Sequence, residues 1–248
     1  MRFIRQSPAP VDEENPYWVS FSDVMAALVV IFILASLVLL MQLVEIKRDA
    51  YDNIQKLKAA ERAREIIVKD VVRELKERSI NVQIADNHSI IRIPNDVLGF
   101  QSGKFNIESQ YQETAKTIGE VLSVAVTKSN RAEHLDTIFV EGHTDSRAFW
   151  GAPGKGNWGL STFRAISLWE YWEQSIDNGM PLSSLTNHEG KPLFSVSGYA
   201  ETRPVKAEQN NESDYEINRR IDIRITIRRP EIKDYEEIVG ESDAAPQD

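Results

Sequence analysis

The sequence predicts a chain in three parts: one transmembrane helix, a helical stem, and a distal α/β domain of the α+β sandwich type. Three observations carry this. Between Asn15 and Glu45 the only formally charged side chain is Asp23. Residues 45–79 hold no Pro or Gly and interleave ten basic with eight acidic side chains. Beyond residue 80, short β-like runs alternate with stretches of helical spacing, the pattern of helices packed on one face of a mixed sheet.

The stretch Val24–Val44 is uncharged and almost wholly aliphatic. At 1.5 Å per residue such a run covers roughly 30 Å, the thickness of a hydrocarbon core. It is longer than a signal-peptide core, and Asp12, Glu13 and Glu14 precede it, so it reads as a retained anchor. Tyr17 and Trp18 suit the aromatic belt at the first boundary. The domain reading is therefore residues 1–17 as a tail, 18–44 as the membrane helix, 45–79 as the stem, 80–230 as the distal domain and 231–248 as an acidic tail. That last segment carries seven acidic side chains and one Lys, which accounts for most of the formal net charge of −9. The charge argues against a nucleic-acid partner, and the absence of cysteine excludes disulfides and thiolate metal sites.

Asp23 admits two readings. It is a boundary residue in the headgroup region, with Ser20 or Ser22 near it as a cap, or it is an ion carrier. Desolvation favours a neutral carboxyl, so such a group binds a cation on one side and releases it on the other.

In the stem, Asp52–Lys56, Glu65–Lys69 and Glu74–Arg78 are acidic-to-basic pairs at i,i+4. Apolar positions from Leu43 through Ile54, Ile67 and Leu75 form a helical stripe that weakens near Glu61–Arg64. This predicts a helix of about 50 Å, either self-associating or solvated alone.

In the distal part, residues 82–85 and 89–93 flank Asp86–His88 as a hairpin. Residues 108–128 read as a helix, 136–142 as a strand, 161–176 as a second helix, and 194–200 and 221–227 as further strands. Asp145 then lies at a strand end, where loops carry function. Arg164 falls in the first turn of the second helix, with Ser161 as its cap. His143 with Asp145 is too sparse a pair for a metal site. Arg219 and Arg220, just before the last strand, read as structural ion pairs. No phosphate loop, nucleophile elbow or zinc-protease helix is present, so no enzyme is expected.

VEGHTDS at 140–146, NWGLSTFRA at 157–165, VSGYAETRP at 196–204 and NRRIDIRI at 218–225 resemble, in order, the OmpA-like peptidoglycan-binding domain. LGFQSGKFNI at 98–107 resembles its first strand-to-helix segment. An early Asp in a single membrane helix ahead of such a domain resembles MotB-type stator subunits. NPYWVSFSDVMAALVVIFIL resembles the ZorB-type motor subunits of Zorya anti-phage defence. The resemblance implies a site in which Asp145 takes the ammonium and Arg164 the carboxylate of diaminopimelate in peptidoglycan, with Thr144, Asn157, Leu160 and Ser161 around them. It further implies Asp23 as the carrier of H⁺ or Na⁺, with no other cofactor. The implied assembly is a homodimer inside a multi-span, pentameric MotA- or ZorA-like ring. The implied location is the cell inner membrane of a Gram-negative-type envelope, N-terminus cytoplasmic and distal domain periplasmic. Flagellar torque generation and a passive membrane-to-wall tether are the other readings. One departure from the family is the long loop 146–156 with Phe149, Trp150 and Pro153.

Overall fold

The computed structural model describes residues 16–101, 103–151, 154–176 and 181–229. The predicted tails, at 1–17 up to residue 15 and at 231–248, lie outside the described residues.

A single helix, α1, runs Pro16–Glu77. Pro16 opens it, where a missing N–H costs nothing and φ is already helical. The helix is shared between two compact units, its residues up to Asp52 belonging to the first and those from Asn53 to the second. In the first unit the large apolar side chains stand exposed along the segment, Phe32 at 75% and Met41 at 73%. The most apolar window has mean hydropathy 3.1, long and apolar enough to cross a membrane. An apolar surface of this extent is stable in lipid or against another protein, not in water.

The second unit is a five-stranded sheet with helices on one face. Its elements are β1 (Gln83–Ala85), β2 (Ile90–Pro94), α2 (Gln112–Thr127), β3 (Leu135–His143), α3 (Gly156–Ser175), β4 (Phe194–Gly198), α4 (Glu212–Asn218) and β5 (Arg220–Ile227). The sheet order is β1-β2-β5-β3-β4, and only β3 and β4 run parallel. The β1–β2 hairpin turns through Asp86, Asn87 and His88, all at positive φ. Asp, Asn and His are the side chains that tolerate this region best after glycine.

Alternation decides the faces. Ile221, Ile223 and Ile225 of β5, Ile91 and Ile93 of β2, and Ile138 and Val140 of β3 point into the core. Ile118 and Leu122 of α2 and Leu168 and Trp172 of α3 meet them there. Trp172 is fully buried and donates its indole N–H to the Ala115 carbonyl at 2.7 Å.

The stem differs from the expected solvated or self-associating helix. Ile67, Val68, Val71 and Leu75 are core residues of the second unit, each at most 1% exposed. The second half of the stripe that suggested a partner helix is satisfied within the chain, while Leu43, Ile46 and Ile54 of its first half stand exposed. The opposite side remains solvated, with Glu74–Arg78 and Glu65–Lys69 pairs as the spacing predicts. A second correction concerns α3, which starts at Gly156 and not at Ser161. Gly159 N–H already bonds to the Lys155 carbonyl at 3.2 Å.

Candidate functional site

The site forms where β3 ends and α3 crosses the sheet. Gly142 and Gly198 are register partners on β3 and β4. A Cβ on Gly142 would lie 2.0 Å from the Ser161 carbonyl oxygen, and one on Gly198 would lie 2.2 Å from Thr162 Oγ1. Only bare backbone on both strands lets α3 sit this close. The strand end is then pinned: Thr144 N–H bonds to the Ala200 carbonyl at 2.9 Å, and Tyr199 N–H to the Gly142 carbonyl at 3.0 Å.

Ser161 is a bracket in this contact, not a helix cap. It lies inside α3, fully buried, where its hydroxyl donates to the Trp158 carbonyl and accepts from Ala200 N–H at 3.0 Å. The expectation that it caps the second helix is corrected by the earlier start of α3 at Gly156. For the same reason Arg164 is not in the first turn but two turns further in.

A cavity of about 240 Å³ opens here, lined by Thr144, Asp145, Arg147, Phe149, Asn157, Leu160, Arg164 and Arg219, with Gly103 and Ala148. Five of the six residues singled out from the sequence therefore converge on one space, with Ser161 directly behind them. Asn157 donates its amide to the Arg147 carbonyl at 3.0 Å and so ties the following loop to α3. Phe149 of the long loop forms part of the wall and packs over Gly103. The Thr144 hydroxyl is buried without a hydrogen-bond partner among the described residues.

The charges decide what the cavity accepts. Arg164 is 2% exposed, yet its described hydrogen bonds go to two backbone carbonyls, Lys104 at 3.0 Å and Gln101 at 3.3 Å. The Phe100 ring lies 5.1 Å from its guanidinium carbon. Burial, assisted by the Arg219 charge and opposed by Asp145, pushes this guanidinium down to about 10. Among the described residues the hydrogen-bond partners of this buried cation are carbonyl dipoles, and a carboxylate placed on it would restore the solvation that burial removed.

Asp145, 6% exposed, already has cationic partners instead, most of them on one oxygen. Its Oδ1 accepts the Arg147 backbone N–H at 3.0 Å. Its Oδ2 accepts Arg147 Nη2 at 2.7 Å, Arg147 Nε at 3.2 Å and Arg219 Nη1 at 2.9 Å. Burial pushes the carboxyl up, but the hydrogen bonds from Arg147 and Arg219 outweigh it and hold it below the usual range.

Arg147 and Arg219 are the site residues that the sequence reading missed. Arg219 is not merely a structural ion pair; it joins the cavity wall and reaches Asp145. Arg220 does act structurally, with Nε 3.0 Å from Asp222 Oδ2. The signal for Arg219 lay in the strands, since β5 pairs antiparallel with β3 and sets Arg220 opposite His143. His143 faces the other side of the sheet, stacked on Tyr199 with Nε2 3.5 Å from Asp222. It does not converge with Asp145.

The description OmpA family matches residues 99–219. The chain is 26% identical to the uncharacterized protein YtxE of Bacillus subtilis (strain 168), over 90% of this chain and 94% of that one. Its fold is similar to that of a putative MotB-like protein from Desulfovibrio vulgaris, with TM-score 0.50 and 17% identity, covering 69% of this chain and 99% of that one. The periplasmic domain of Helicobacter pylori MotB is also similar, with TM-score 0.46 and 17% identity over 63% of this chain and 87% of that one. The cavity at the end of β3 accordingly belongs to an OmpA family domain, which the chain carries at residues 99–219.

Proposed function

We propose that the chain is the wall-gripping, ion-carrying subunit of a MotB-like membrane motor. One observation carries the wall-binding half: a buried Arg164 without an ion-pair partner among the described residues, lining the same cavity as Asp145. A zwitterionic amino acid fits such a pair. Diaminopimelate in the peptidoglycan stem would place its carboxylate on Arg164 in a two-pronged grip and its ammonium at Asp145. Thr144, Asn157 and Leu160 shape the seat. Peptidoglycan lies outside the inner membrane, so the distal domain is periplasmic and residues 1–17 are cytoplasmic. The role is binding, not catalysis.

The ion-carrying half rests on Asp23, inside α1 near the start of its apolar run. One helix does not form a conducting path, so a membrane partner is required. We assign it as a MotA- or ZorA-like pentameric ring around a homodimer of this chain, with H⁺ or Na⁺ as the moving ion. The membrane sequence favours Zorya-type anti-phage defence over flagellar torque.

Two measurements test the proposal. Retention of the full-length protein on purified sacculi should fall at least about tenfold with Arg164→Ala, the loss expected for one charge-assisted contact. Ion flux, or phage protection in cells carrying the partner, should vanish with Asp23→Asn. If Asp23→Asn behaves like the parent while Arg164→Ala fails, the chain is a passive tether. If Arg164→Ala is retained as well as the parent, the wall-binding assignment is wrong.

A further inference from the structure

The cavity that suits a zwitterion already holds a cation of its own. A carboxylate offers about four acceptor positions. Three of the four hydrogen bonds to Asp145 come from Arg147, two of them from its side chain at 3.2 and 2.7 Å. The fourth comes from Arg219. Oδ2 takes three of these bonds and Oδ1 one, so an incoming ammonium, with three donors and no acceptor, reaches Oδ2 only by replacing a guanidinium donor. Of the occupants, Arg219 is the fixed one, with its side chain 11% exposed. Arg147 is the exchangeable one, with its side chain 43% exposed.

Arg147 also has somewhere else to go. Its Nη1 lies 2.9 Å from Glu212 Oε2, and its guanidinium carbon lies 4.4 Å from the centre of the Tyr215 ring. Releasing Asp145 therefore leaves the guanidinium with a carboxylate and an aromatic face. Its backbone N–H stays on Oδ1, so the carboxylate keeps its orientation during the exchange.

We propose that Arg147 is a specificity-determining residue that competes, from within the chain, with the ammonium group of the ligand for Asp145. The inference rests on the wall-binding reading above and deepens it. With Arg147 seated, the cavity presents the guanidinium groups of Arg147, Arg164 and Arg219 and accepts a simple anion. With Arg147 withdrawn to Glu212, it accepts a carboxylate and an ammonium together. The competitor sets a threshold: a ligand whose amine is misplaced or blocked does not displace it.

The test uses the full-length protein in nanodiscs, titrated with diaminopimelate and with pimelate, which has the two carboxylates but no amines. Removing the competitor by Arg147→Ala should tighten diaminopimelate about three- to fivefold, the range of a partly exposed ion pair, and should not tighten pimelate. Arg147→Lys places an amine in the same seat and should return the ratio of the two affinities toward the parent value. If Arg147→Ala weakens diaminopimelate or leaves that ratio unchanged, Arg147 is a direct ligand contact or a brace, and the proposal falls. If parent and variant both bind neither ligand and are not retained on sacculi, the wall-binding reading itself fails and this inference fails with it.

Discussion

Arg219 and Asp145 are 74 positions apart in the chain, yet Nη1 of Arg219 donates to Oδ2 of Asp145 at 2.9 Å. The sheet makes this possible. β5 lies antiparallel beside β3 and pairs Arg220 with His143, so the residue before β5 and the residues after β3 meet at one edge. Arg219 is held from behind by Glu212 at 2.8 Å. The result is a carboxylate whose position depends on two segments that arrive from opposite ends of the domain.

That dependence has a pH signature. The Asp145 carboxyl is held below its ordinary range, so its contribution to stability is present above the unfolded value of about 3.9 and is lost as pH falls through the lower folded value. Arg219→Ala removes one of the two stabilising guanidiniums. The variant should be destabilised by about 1–3 kcal/mol at pH 7, and the acid loss linked to Asp145 should be smaller and complete at higher pH than in the parent, with its onset near the unfolded value unchanged. Difference melting curves between pH 7 and pH 3 check this. A variant whose acid limb coincides with that of the parent would show that Arg219 does not sustain the charge.

His143 predicts the reverse composition of causes. Burial, reinforced by Arg220 and opposed by Asp222, pushes its imidazole down to about 3, so it is neutral in the folded chain at pH 7. Neither ring nitrogen has a hydrogen-bond partner among the described residues. The unfolded chain binds a proton near pH 6.5 that the folded chain refuses, so stability falls as pH drops from about 6.5 toward 3. His143→Phe keeps the stack on Tyr199 and removes the titrating group. It should be close to neutral at pH 7 and should flatten the decline between pH 6.5 and pH 4 by about 1–3 kcal/mol, read from denaturant midpoints. A slope unchanged from the parent would place the acid sensitivity elsewhere.

Gly142 carries the seat of α3. A methyl group there would fall 2.0 Å from the Ser161 carbonyl oxygen, and a backbone atom cannot swing aside as a side-chain tip can. Gly142→Ala should therefore cost about 3 kcal/mol or more and lower the melting temperature by roughly 6–12 °C. Sacculus retention should fall with it, because Asp145 and Arg164 are set by the strand and the helix that this contact joins. Trp172→Phe, at the far end of α3, serves as the contrast. It loses the bond to Ala115 and some packing, and should reduce stability while sparing retention by the folded protein.

The legible and illegible parts of the fold divide along physical lines. Period-two alternation with a polar opposite face made β2 and β5 readable, because Arg92 and Asp222 alternate with buried isoleucines and pair across the strands at 3.0 Å. Asp145 and Arg164 were readable as chemistry at a strand end and on a helix. The start of α3 was not, because Gly156, Asn157 and Gly159 read as loop until the close approach to β3 and β4 is known. Arg147 and Arg219 were not, because their role depends on which carboxylate the topology brings near. The stem's second half was misread because an apolar stripe reports that a helix is covered and not by what. Ile67 and Leu75 are covered by the sheet and its helices.

That last point gives the sharpest test of where the distal domain begins. A fragment of residues 80–229 lacks Ile67, Val68, Val71 and Leu75, four side chains at the centre of the core. Burial of a large aliphatic side chain is worth about 1.5–3 kcal/mol, and the sum for these exceeds the margin of an ordinary domain once the cavity cost is added. The fragment should be unfolded or molten by circular dichroism and amide exchange, whereas residues 53–229 should unfold cooperatively. Within the intact chain, Leu75→Ala should cost about 2–5 kcal/mol, against less than about 1 kcal/mol for Leu43→Ala in the segment whose side chains are exposed. A stable, cooperative 80–229 fragment would return α1 to the status of a free stem. It would also make the packing of Leu75 incidental to the domain that holds Asp145 and Arg164.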